Sequence, residues 1–275
     1  MSIYFTLDDD FAPIIREALP NATVTDMHQI TTGWTNIVYE VETDKGNYFF
    51  RFPRDEFWSR TIVKDCEFAD FIKGKTNFHT SELELHRDNG RPFSVHKKIE
   101  GTPLADKMKD LSDEELKQVS EEIAQFMAEL HQVEYTDEHI FDIDNIGLDL
   151  HSFLTELLAK HVSREDMEFW KHVTAVEPQC LVHGDLNLSN VLLDENNHIA
   201  AVIDFGFSGY GNKYDDVARI LSRDTDRNFK NDVIEAYEAY TKSPLDKDLL
   251  ENKIAEWNNI DQGYITYMRG IGIYE

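Results

Sequence analysis

The feature that most constrains the fold of this chain is a pair of short apolar runs joined by a polar turn. The runs are Asn190 to Asp194 and Ile199 to Asp204, and the turn between them is Glu195 to His198. Apolar runs of this length on either side of a polar turn predict a β-hairpin. The outer ends of two antiparallel strands are neighbours, so the hairpin would bring Asn190 close to Asp204.

Polar residues just before this hairpin complete a set that suits phosphoryl transfer. His183, Gly184 and Asp185 follow a short apolar run, and Asp185 stands five residues before Asn190. In phosphoryl transfer from a magnesium nucleotide, one carboxylate accepts the proton of the attacking hydroxyl. An amide and a second carboxylate hold the metal on the phosphates, and Mg²⁺ accepts such a small set of protein oxygens. An aspartate-rich turn after a buried strand is the structural alternative.

At these residues the chain resembles the aminoglycoside phosphotransferase family, whose members are small-molecule kinases related in fold to protein kinases. The resemblance rests on the HGD triplet with its following asparagine, then Ile203–Gly206 (IDFG), then Asp216–Ala218 (DVA). It implies that Asp185 is the catalytic base. It also implies that Asn190 and Asp204 bind Mg²⁺.

The resemblance assigns supporting roles to neighbouring residues. His183 would order the loop and would not act as a base, and Asp216 would brace the loop from the start of a helix. Gly184 stands where protein kinases have the arginine of H-R-D, which argues against a protein kinase.

Toward the N-terminus the resemblance is less complete. Residues 30–36 precede an alternating strand and look like the family's nucleotide loop, which predicts that Gly33, Thr35 and Asn36 lie at the nucleotide. Gly33 is the one glycine of this loop, so the loop is not a glycine-rich motif by itself. Thr35 and Asn36 are also similar to the corresponding pair of choline-kinase-like relatives.

Arg51 is a departure from the family pattern. It lies in the predicted strand Tyr48–Phe52, at the position where the family has a lysine that contacts the nucleotide phosphates. Arginine keeps the charge and can bind phosphate through two N–H groups, but it is planar and longer, so it can place the phosphates differently or weaken activity. The partner acid of the family would be Glu67, on a helix predicted from about Arg60 to Gly74. The alternative for Glu67 is a solvated surface acid.

The order of the predicted elements, strands first and helices after, indicates a segregated α+β fold. The resemblance implies a bilobal protein-kinase-like fold with the nucleotide between the lobes. Residues 1–98 would form a small β-rich N-lobe, and residues 99–275 a larger, mostly helical C-lobe. Ser112 and Glu115 form a predicted capping box at the start of one of its helices.

Two further sets of site residues follow from the resemblance. The strand Phe93–Ile99 would lead into the hinge, whose backbone meets the nucleotide base, so Lys97, Lys98 and Ile99 are hinge candidates. An ordinary polar loop would look the same. Trp257 and Asp261 are four residues apart, could share one helix face, and are candidates for the acceptor pocket. Core packing is the alternative for Trp257.

The charge of the chain is strongly acidic and unevenly placed. The formal net charge is −26, of which residues 1–98 contribute −4 and residues 99–275 contribute −22. Such a surface repels nucleic acid and anionic membranes, and it attracts a small cationic substrate that bears hydroxyls. Alternatively, the surplus acid only keeps the protein soluble.

Length and cysteine content agree with a cytoplasmic protein. A chain of 275 residues is long enough for two small domains, and it has no run of eighteen apolar residues. Its acidic start lacks the regions of a secretory signal. Cys66 and Cys180 have no metal-site spacing, and ordinary buried thiols fit a reducing cytoplasm. No pattern in the sequence indicates an oligomeric state.

The predicted function is therefore Mg²⁺-dependent transfer of the γ-phosphate of ATP or GTP to a hydroxyl of a small cationic molecule, with an aminoglycoside as the first choice. A metabolic small-molecule kinase is one alternative, acting on choline, homoserine, a methylthio-sugar or a ketoamine. A nucleotide-binding pseudokinase is the other, and Arg51 is the one residue that favours it.

Overall fold

The computed structural model describes residues 4–31, 35–134, 179–222 and 227–270, and for residues 57, 227 and 259–270 it describes the backbone alone. Its contacts divide the chain into two compact units. Residues up to Phe71 and Ser81–Ile99 belong to the first unit, whereas Ile72–Thr80 and the described residues from Glu100 onward belong to the second.

The first unit is a five-stranded antiparallel sheet with two helices. Its strands are β1 (Val24–Ile30), β2 (Asn36–Thr43), β3 (Gly46–Pro53), β4 (Glu84–Asp88) and β5 (Arg91–Lys97), in the spatial order β1-β2-β3-β5-β4. Its helices are α1 (Phe11–Ala18) and α2 (Glu56–Ile72). Tight turns join β2 to β3 and β4 to β5, and Gly46 and Gly90 supply the left-handed backbone there, with φ of 114° and 88°.

Phenylalanine rings form the core of this unit. Phe52 on β3 lies at the centre, with ring centroids 4.6 Å from Phe11, 4.9 Å from Phe5 and 5.0 Å from Phe93. Successive side chains of a strand point to opposite faces of the sheet. Because Phe50 and Phe52 face the core, Arg51 between them faces the other side.

The second unit combines short strands with longer helices. Its strands are β6 (Thr102–Pro103), β7 (Cys180–Val182), β8 (Val191–Leu193), β9 (Ile199–Val202) and β10 (Gly209–Gly211). Its helices are α3 (Leu104–Lys107), α4 (Asp113–His131), α5 (Lys213–Leu221), α6 (Arg227–Thr241) and α7 (Lys247–Gly270). Helix α4 packs against α6, and α5 packs against α7. Among the described helices, none combines the length and the apolar character that crossing a membrane requires.

Local sequence explains the start of α4. The hydroxyl of Ser112 accepts a hydrogen bond from the backbone of Glu115, and the Glu115 carboxylate accepts one from the backbone of Ser112. This confirms the predicted capping box. The apolar residues of α4 recur at helical spacing, and nine residues of the helix are buried: Leu116, Val119, Ser120, Ile123, Ala124, Phe126, Met127, Ala128 and Leu130.

The predicted hairpin is confirmed. Strands β8 and β9 pair antiparallel, with Val191 opposite Val202 and Leu192 opposite Ala201. In the turn between them the Asp194 carboxylate accepts hydrogen bonds from the backbone N–H groups of residues 196 and 198, at 2.8 and 2.9 Å. Asn197 takes the left-handed backbone that the turn requires, with φ of 62°. The α+β fold class is confirmed as well, with an antiparallel sheet in one unit and mostly helices in the other.

Candidate active site

One buried carboxylate holds the loop that carries the HGD triplet, here called the HGD loop (His183–Asn190). Asp216 lies in the first turn of α5 and is fully buried. Its two oxygens accept hydrogen bonds of 2.8 Å from the backbone N–H groups of His183 and Gly184. Gly184 has a φ of 78°, a left-handed conformation that glycine adopts without strain. The start of α5 therefore fixes the backbone of the HGD loop.

Asp216 receives a third hydrogen bond, from the end of α4. His131 Nε2 lies 3.1 Å from Asp216 Oδ2, and His131 Nδ1 lies 2.8 Å from the Tyr237 hydroxyl on α6. Burial works to raise the pKa of Asp216. The hydrogen bond and charge of His131, with the contacts from His183, outweigh burial and hold this pKa below its usual value. Asp216 is thus kept as a carboxylate that links three helices to the HGD loop.

His183 is bonded within the loop system. Its Nε2 lies 3.0 Å from the carbonyl oxygen of Ile203, and its Nδ1 accepts a hydrogen bond of 3.3 Å from the backbone of Asp185. The Ser208 hydroxyl donates to the His183 carbonyl oxygen at 3.0 Å. Both ring nitrogens are therefore engaged with backbone groups. This geometry supports the loop-ordering role predicted for His183.

The remainder of the loop is shaped by side-chain amides. Asn190 Nδ2 donates to the carbonyl oxygen of Asp185 at 2.9 Å, and Asn187 Nδ2 donates to the same oxygen at 3.1 Å. Because the Nδ2 atom of Asn190 donates to Asp185, the Oδ1 atom of Asn190 is the part of the amide that can bind a cation. Asp185 and Asn190 are thus connected directly through one hydrogen bond.

Asn190 and Asp204 come together at the open end of the hairpin, as the sequence predicts. The backbone N–H of Ile203 donates to the carbonyl oxygen of Asn190 at 3.0 Å. Asp204 is the next residue after Ile203, so its backbone lies close to that of Asn190. Asp204 has a φ of 68°, a left-handed conformation that aspartate tolerates better than most residues. This backbone turn ends β9 and redirects the chain at the carboxylate.

The donor set at this place fits magnesium. In the described part of the chain, His, Cys, Asp and Glu side chains do not gather in groups of three or more that could hold a metal ion. One amide oxygen and one carboxylate, with nucleotide phosphates and water for the remaining positions, are a set that Mg²⁺ accepts.

An arginine on α5 contacts Asp185 itself. Arg219 Nε donates to Asp185 Oδ1 at 2.7 Å, and the Arg219 side chain is 6% exposed while that of Asp185 is 23% exposed. Among the described residues, Asp185 Oδ2 receives no hydrogen bond. Arg219 therefore occupies Oδ1 of Asp185.

In the first unit, Arg51 bonds the side chains of Asp65 and Ser94. Its Nη2 forms an ion pair with Asp65 on α2, and its Nε donates to the Ser94 hydroxyl on β5 at 3.1 Å. Asp65 is 1% exposed. The sequence predicts Glu67 as the acid that partners Arg51, whereas this ion pair involves Asp65, two residues earlier on the same helix. A role for Glu67 at the nucleotide stays a prediction.

The other residues predicted at the nucleotide are placed as follows. Gly33 lies outside the described residues. Asn36 begins β2, is buried, and donates from Nδ2 to the Thr35 hydroxyl at 2.8 Å. Lys97 ends β5, and its Cε lies 3.1 Å from the place where a Cβ on Gly46 would stand. Ile99 follows β5 and is partly buried.

The two residues predicted at the acceptor differ in what the structure says of them. Trp257 on α7 is 6% exposed, its ring lies under the Arg219 guanidinium at 4.7 Å, and its Nε1 donates to the Asp215 carbonyl oxygen at 3.2 Å. These contacts correspond to the packing alternative for Trp257, and its role at the acceptor stays a prediction. The side chain of Asp261 lies outside the described part of α7.

Four residues that contact the predicted site residues were not predicted from the sequence: Asp65, Ser94, His131 and Arg219. Their partners are between 14 and 85 residues away, so no local pattern could identify them. Arg219 had one local clue, because it stands three residues after Asp216 and therefore on the same side of α5.

A sheet-based unit, a helical unit and a clamped HGD loop followed by a hairpin define a kinase-like phosphotransferase. The chain belongs to the phosphotransferase enzyme family APH, whose family model matches residues 26–248. This confirms both the predicted family and the prediction that the protein is a phosphotransferase enzyme.

Solved structures share this fold. The GDP and kanamycin complex of APH(2")-IIia has a TM-score of 0.72 and 20% sequence identity, covering 95% of this chain and 93% of that one. The streptomycin and ATP ternary complex of APH(2")-IIa has a TM-score of 0.64 and 20% identity, covering 94% and 91%. The macrolide 2'-phosphotransferase MphH from Brachybacterium faecium, as an apoenzyme, has a TM-score of 0.63 and 16% identity, covering 96% and 94%.

Proposed function

We propose that this protein transfers the γ-phosphate of ATP or GTP to a hydroxyl of a small cationic molecule, with Mg²⁺ as cofactor. The observation that carries the proposal is the connection of Asp185, Asn190 and Asp204. Asn190 donates to the Asp185 carbonyl oxygen, and the residue before Asp204 donates to the Asn190 carbonyl oxygen. The three predicted catalytic and metal-binding residues therefore belong to one hydrogen-bonded segment.

Asp185 is the base in this proposal. The acceptor hydroxyl gives its proton to Oδ2 of Asp185 while its oxygen bonds to the γ-phosphorus, and the bond from that phosphorus to the β–γ bridging oxygen breaks. The nucleoside diphosphate leaves with the electron pair of that bond. Proton acceptance by a placed side chain contributes roughly 10² to 10⁴-fold, and positioning of the acceptor contributes more.

Asn190 and Asp204 would hold Mg²⁺ through one amide oxygen and one carboxylate. When bound, the ion offsets the negative charge on the phosphates. Arg51 would contact the nucleotide phosphates, as the resemblance implies. Its ion pair with Asp65 and its hydrogen bond to Ser94 orient its guanidinium, and arginine can bind phosphate through two N–H groups.

An aminoglycoside is the proposed acceptor. The net charge of −22 on residues 99–275 favours a polycation over a neutral alcohol. Two of the structurally similar phosphotransferases are described with kanamycin and with gentamicin. Choline and ketoamines carry fewer positive charges, and homoserine and a methylthio-sugar carry no net positive charge, so the acidity supports them less.

The test is a phosphorylation screen with ATP and GTP in parallel. Kanamycin, gentamicin and streptomycin form one acceptor group; choline, homoserine, a methylthio-sugar and a ketoamine form the other. The expected result is Mg²⁺-dependent transfer to an aminoglycoside, with transfer abolished by a chelator and weakened by salt because screening shortens the reach of charge. If phosphate is transferred to a member of the second group and to no aminoglycoside, the proposed acceptor is wrong and the metabolic small-molecule kinase takes its place.

The pseudokinase alternative has its own outcome in the same screen. It requires tight, Mg²⁺-dependent nucleotide binding without transfer to any acceptor, and this result must persist in Arg51→Lys. If Arg51→Lys transfers phosphate and the wild type does not, the arginine is the cause of the missing activity.

A further inference from the structure

The carboxylate of Asp185 is held by a side chain that lies outside the HGD loop. Arg219 Nε donates to Asp185 Oδ1 at 2.7 Å from the second turn of α5. The same helix supplies Asp216, which fixes the backbone of the loop at His183 and Gly184. Residues 216 and 219 are three apart and share one side of the helix. Helix α5 therefore fixes both the backbone of the loop and the side chain of Asp185.

Arg219 is itself fixed by a residue from α7. Its guanidinium carbon lies 4.7 Å from the ring centre of Trp257, within the range of a cation–π contact. Its Nη1 also lies 3.5 Å from the Ser222 hydroxyl. The Arg219 side chain is 6% exposed, so most of its freedom to choose other conformations is removed. A long side chain that is packed in this way holds its partner in one orientation.

Trp257 has a defined position of its own. Its indole N–H donates to the carbonyl oxygen of Asp215 at 3.2 Å, which ties the ring to the first turn of α5. One turn earlier on α7, Lys253 Nζ lies 3.5 Å from Asp215 Oδ1 and 3.3 Å from Glu256. Among the described side chains of α7, those of Trp257 and Lys253 both bond to Asp215 of α5, and that of Trp257 also contacts Arg219.

We propose that Arg219, held by Trp257, is a positioning residue that orients Asp185 for proton acceptance. With Oδ1 bonded to Arg219, Oδ2 is the oxygen that would accept the proton of the acceptor hydroxyl. A catalytic group that is oriented by a third residue is a recurrent arrangement in enzymes. The proposal rests on the proposed function, because it assigns a role only if Asp185 is the base.

A positioning role and a phosphate-binding role for Arg219 predict different kinetics. A residue that orients the base acts on the chemical step, so its loss lowers kcat. A residue that binds the nucleotide phosphates acts on affinity, so its loss weakens nucleotide binding. Measuring kcat together with the Kd of the Mg²⁺ nucleotide separates the two roles.

The experiment compares five variants with the wild type: Arg219→Gln, Arg219→Lys, Trp257→Leu, Trp257→Phe and Lys253→Gln. Transfer is measured with MgATP and MgGTP, with kanamycin as the added acceptor and with water as the acceptor in its absence. We expect Arg219→Gln to lower kcat by roughly 10 to 100-fold with the nucleotide Kd little changed, because small misplacements of a catalytic group have effects of this size. Arg219→Lys should recover part of the loss.

The tryptophan variants test whether the effect passes through Arg219. Trp257→Leu should lower kcat by about 10-fold although Trp257 does not touch Asp185, and Trp257→Phe should recover most of it because phenylalanine keeps an aromatic face. Lys253→Gln is the matched control on the same helix. It removes an ion pair to Asp215 and lowers the melting temperature, but it should leave kcat unchanged.

Two outcomes overturn the inference. The first is a wild-type kcat in both Arg219→Gln and Trp257→Leu; the second is a loss confined to nucleotide affinity. Asp185→Asn, measured in parallel, separates this failure from that of the proposed function. If Asp185→Asn is inactive while the Arg219 and Trp257 variants are not, the inference alone fails. If Asp185→Asn keeps wild-type turnover, or the wild type has none, the proposed function fails and the inference fails with it.

Discussion

Two adjacent carboxylates at the start of α5, Asp215 and Asp216, stand in opposite electrostatic environments. Burial raises the pKa of Asp215, and the charge of Lys253 offsets this only in part. For Asp216, burial is outweighed by His131 and His183, and its pKa is lowered. Asp216 therefore stabilises the folded protein as an anion, whereas neutralising Asp215 removes little of the free energy of unfolding.

This contrast predicts different results for two conservative substitutions. Asp216→Asn places an amide N–H₂ against a backbone N–H of His183 or Gly184, and it should lower the free energy of unfolding by about 2 to 4 kcal/mol. It should also reduce turnover, because the HGD loop loses its clamp. Asp215→Asn keeps an oxygen for the Asn212 N–H and should change stability by less than about 1 kcal/mol.

Urea denaturation of the two variants, with turnover measured on the same samples, checks this prediction. Because Asp216 has a lowered pKa when folded, its contribution is present above its unfolded pKa and is lost as the pH falls through the folded value. The stability difference between wild type and Asp216→Asn should therefore shrink below about pH 4. Equal effects of the two substitutions at pH 7 would contradict the assignment of Asp216 as the clamp.

At the scale of elements, the first unit links β3, β5 and α2 through one guanidinium. Arg51 on β3 bonds Ser94 on β5 and pairs with Asp65 on α2. A lysine at this position would present one ammonium group and could not offer the same fork to both partners. The arginine therefore combines a structural link with the phosphate contact that we propose for it.

A double-mutant cycle separates these two roles. Arg51→Met should lower the free energy of unfolding by about 3 kcal/mol, because the buried Asp65 then loses its ion pair with Arg51. The double variant Arg51→Met/Asp65→Leu should regain most of this stability, since apolar side chains replace the pair. Its affinity for MgATP and MgGTP, measured by calorimetry, should stay at least about 10-fold weaker than that of the wild type. Wild-type affinity in the stable double variant would show that Arg51 has no phosphate role.

His96 on β5 predicts a pH dependence of the first unit. It follows Ser94 by two residues and so lies on the same face of the sheet as Arg51. Burial, followed by the charge of Arg51, lowers the pKa of His96 to about 3. The unfolded chain takes up this proton near pH 6.5, so stability is full above that pH and falls as the pH decreases toward 3.

Between pH 7 and pH 5 this one histidine should remove at most about 2 kcal/mol of unfolding free energy. His96→Gln should flatten the loss over this interval, which denaturation curves at several pH values would reveal. An unchanged slope in His96→Gln would mean that His96 is hydrated in the folded protein.

Across the whole molecule, the features that could be predicted from the sequence are those set by residues close together in the chain. The β8–β9 hairpin places Asn190 beside Asp204 because strand period and turn chemistry fix that arrangement over fifteen residues. Asp65 and Arg219 could not be predicted in the same way. Which acid of α2 meets Arg51 depends on how the helix is rotated about its axis, and two residues differ by about 200°.

The surroundings of Trp257 could not be predicted from the sequence either. Family resemblance put it among the candidates for an acceptor pocket, whereas the packing of α7 on α5 places its ring on Arg219. Helical spacing identifies which residues share a face, but it does not identify which neighbour that face meets. That neighbour is set by tertiary packing between segments far apart in sequence.

Transfer of the γ-phosphate can be compared in wild type, Asp185→Asn and Asp204→Asn, at saturating Mg²⁺ nucleotide and acceptor. Melting temperatures within a few degrees of the wild-type value would establish that the variants are folded. If Asp185 is the base and Asp204 holds Mg²⁺, each variant loses at least about 10²-fold in turnover, and a chelator abolishes wild-type transfer. Wild-type turnover in a folded Asp185→Asn or Asp204→Asn protein would contradict these assignments.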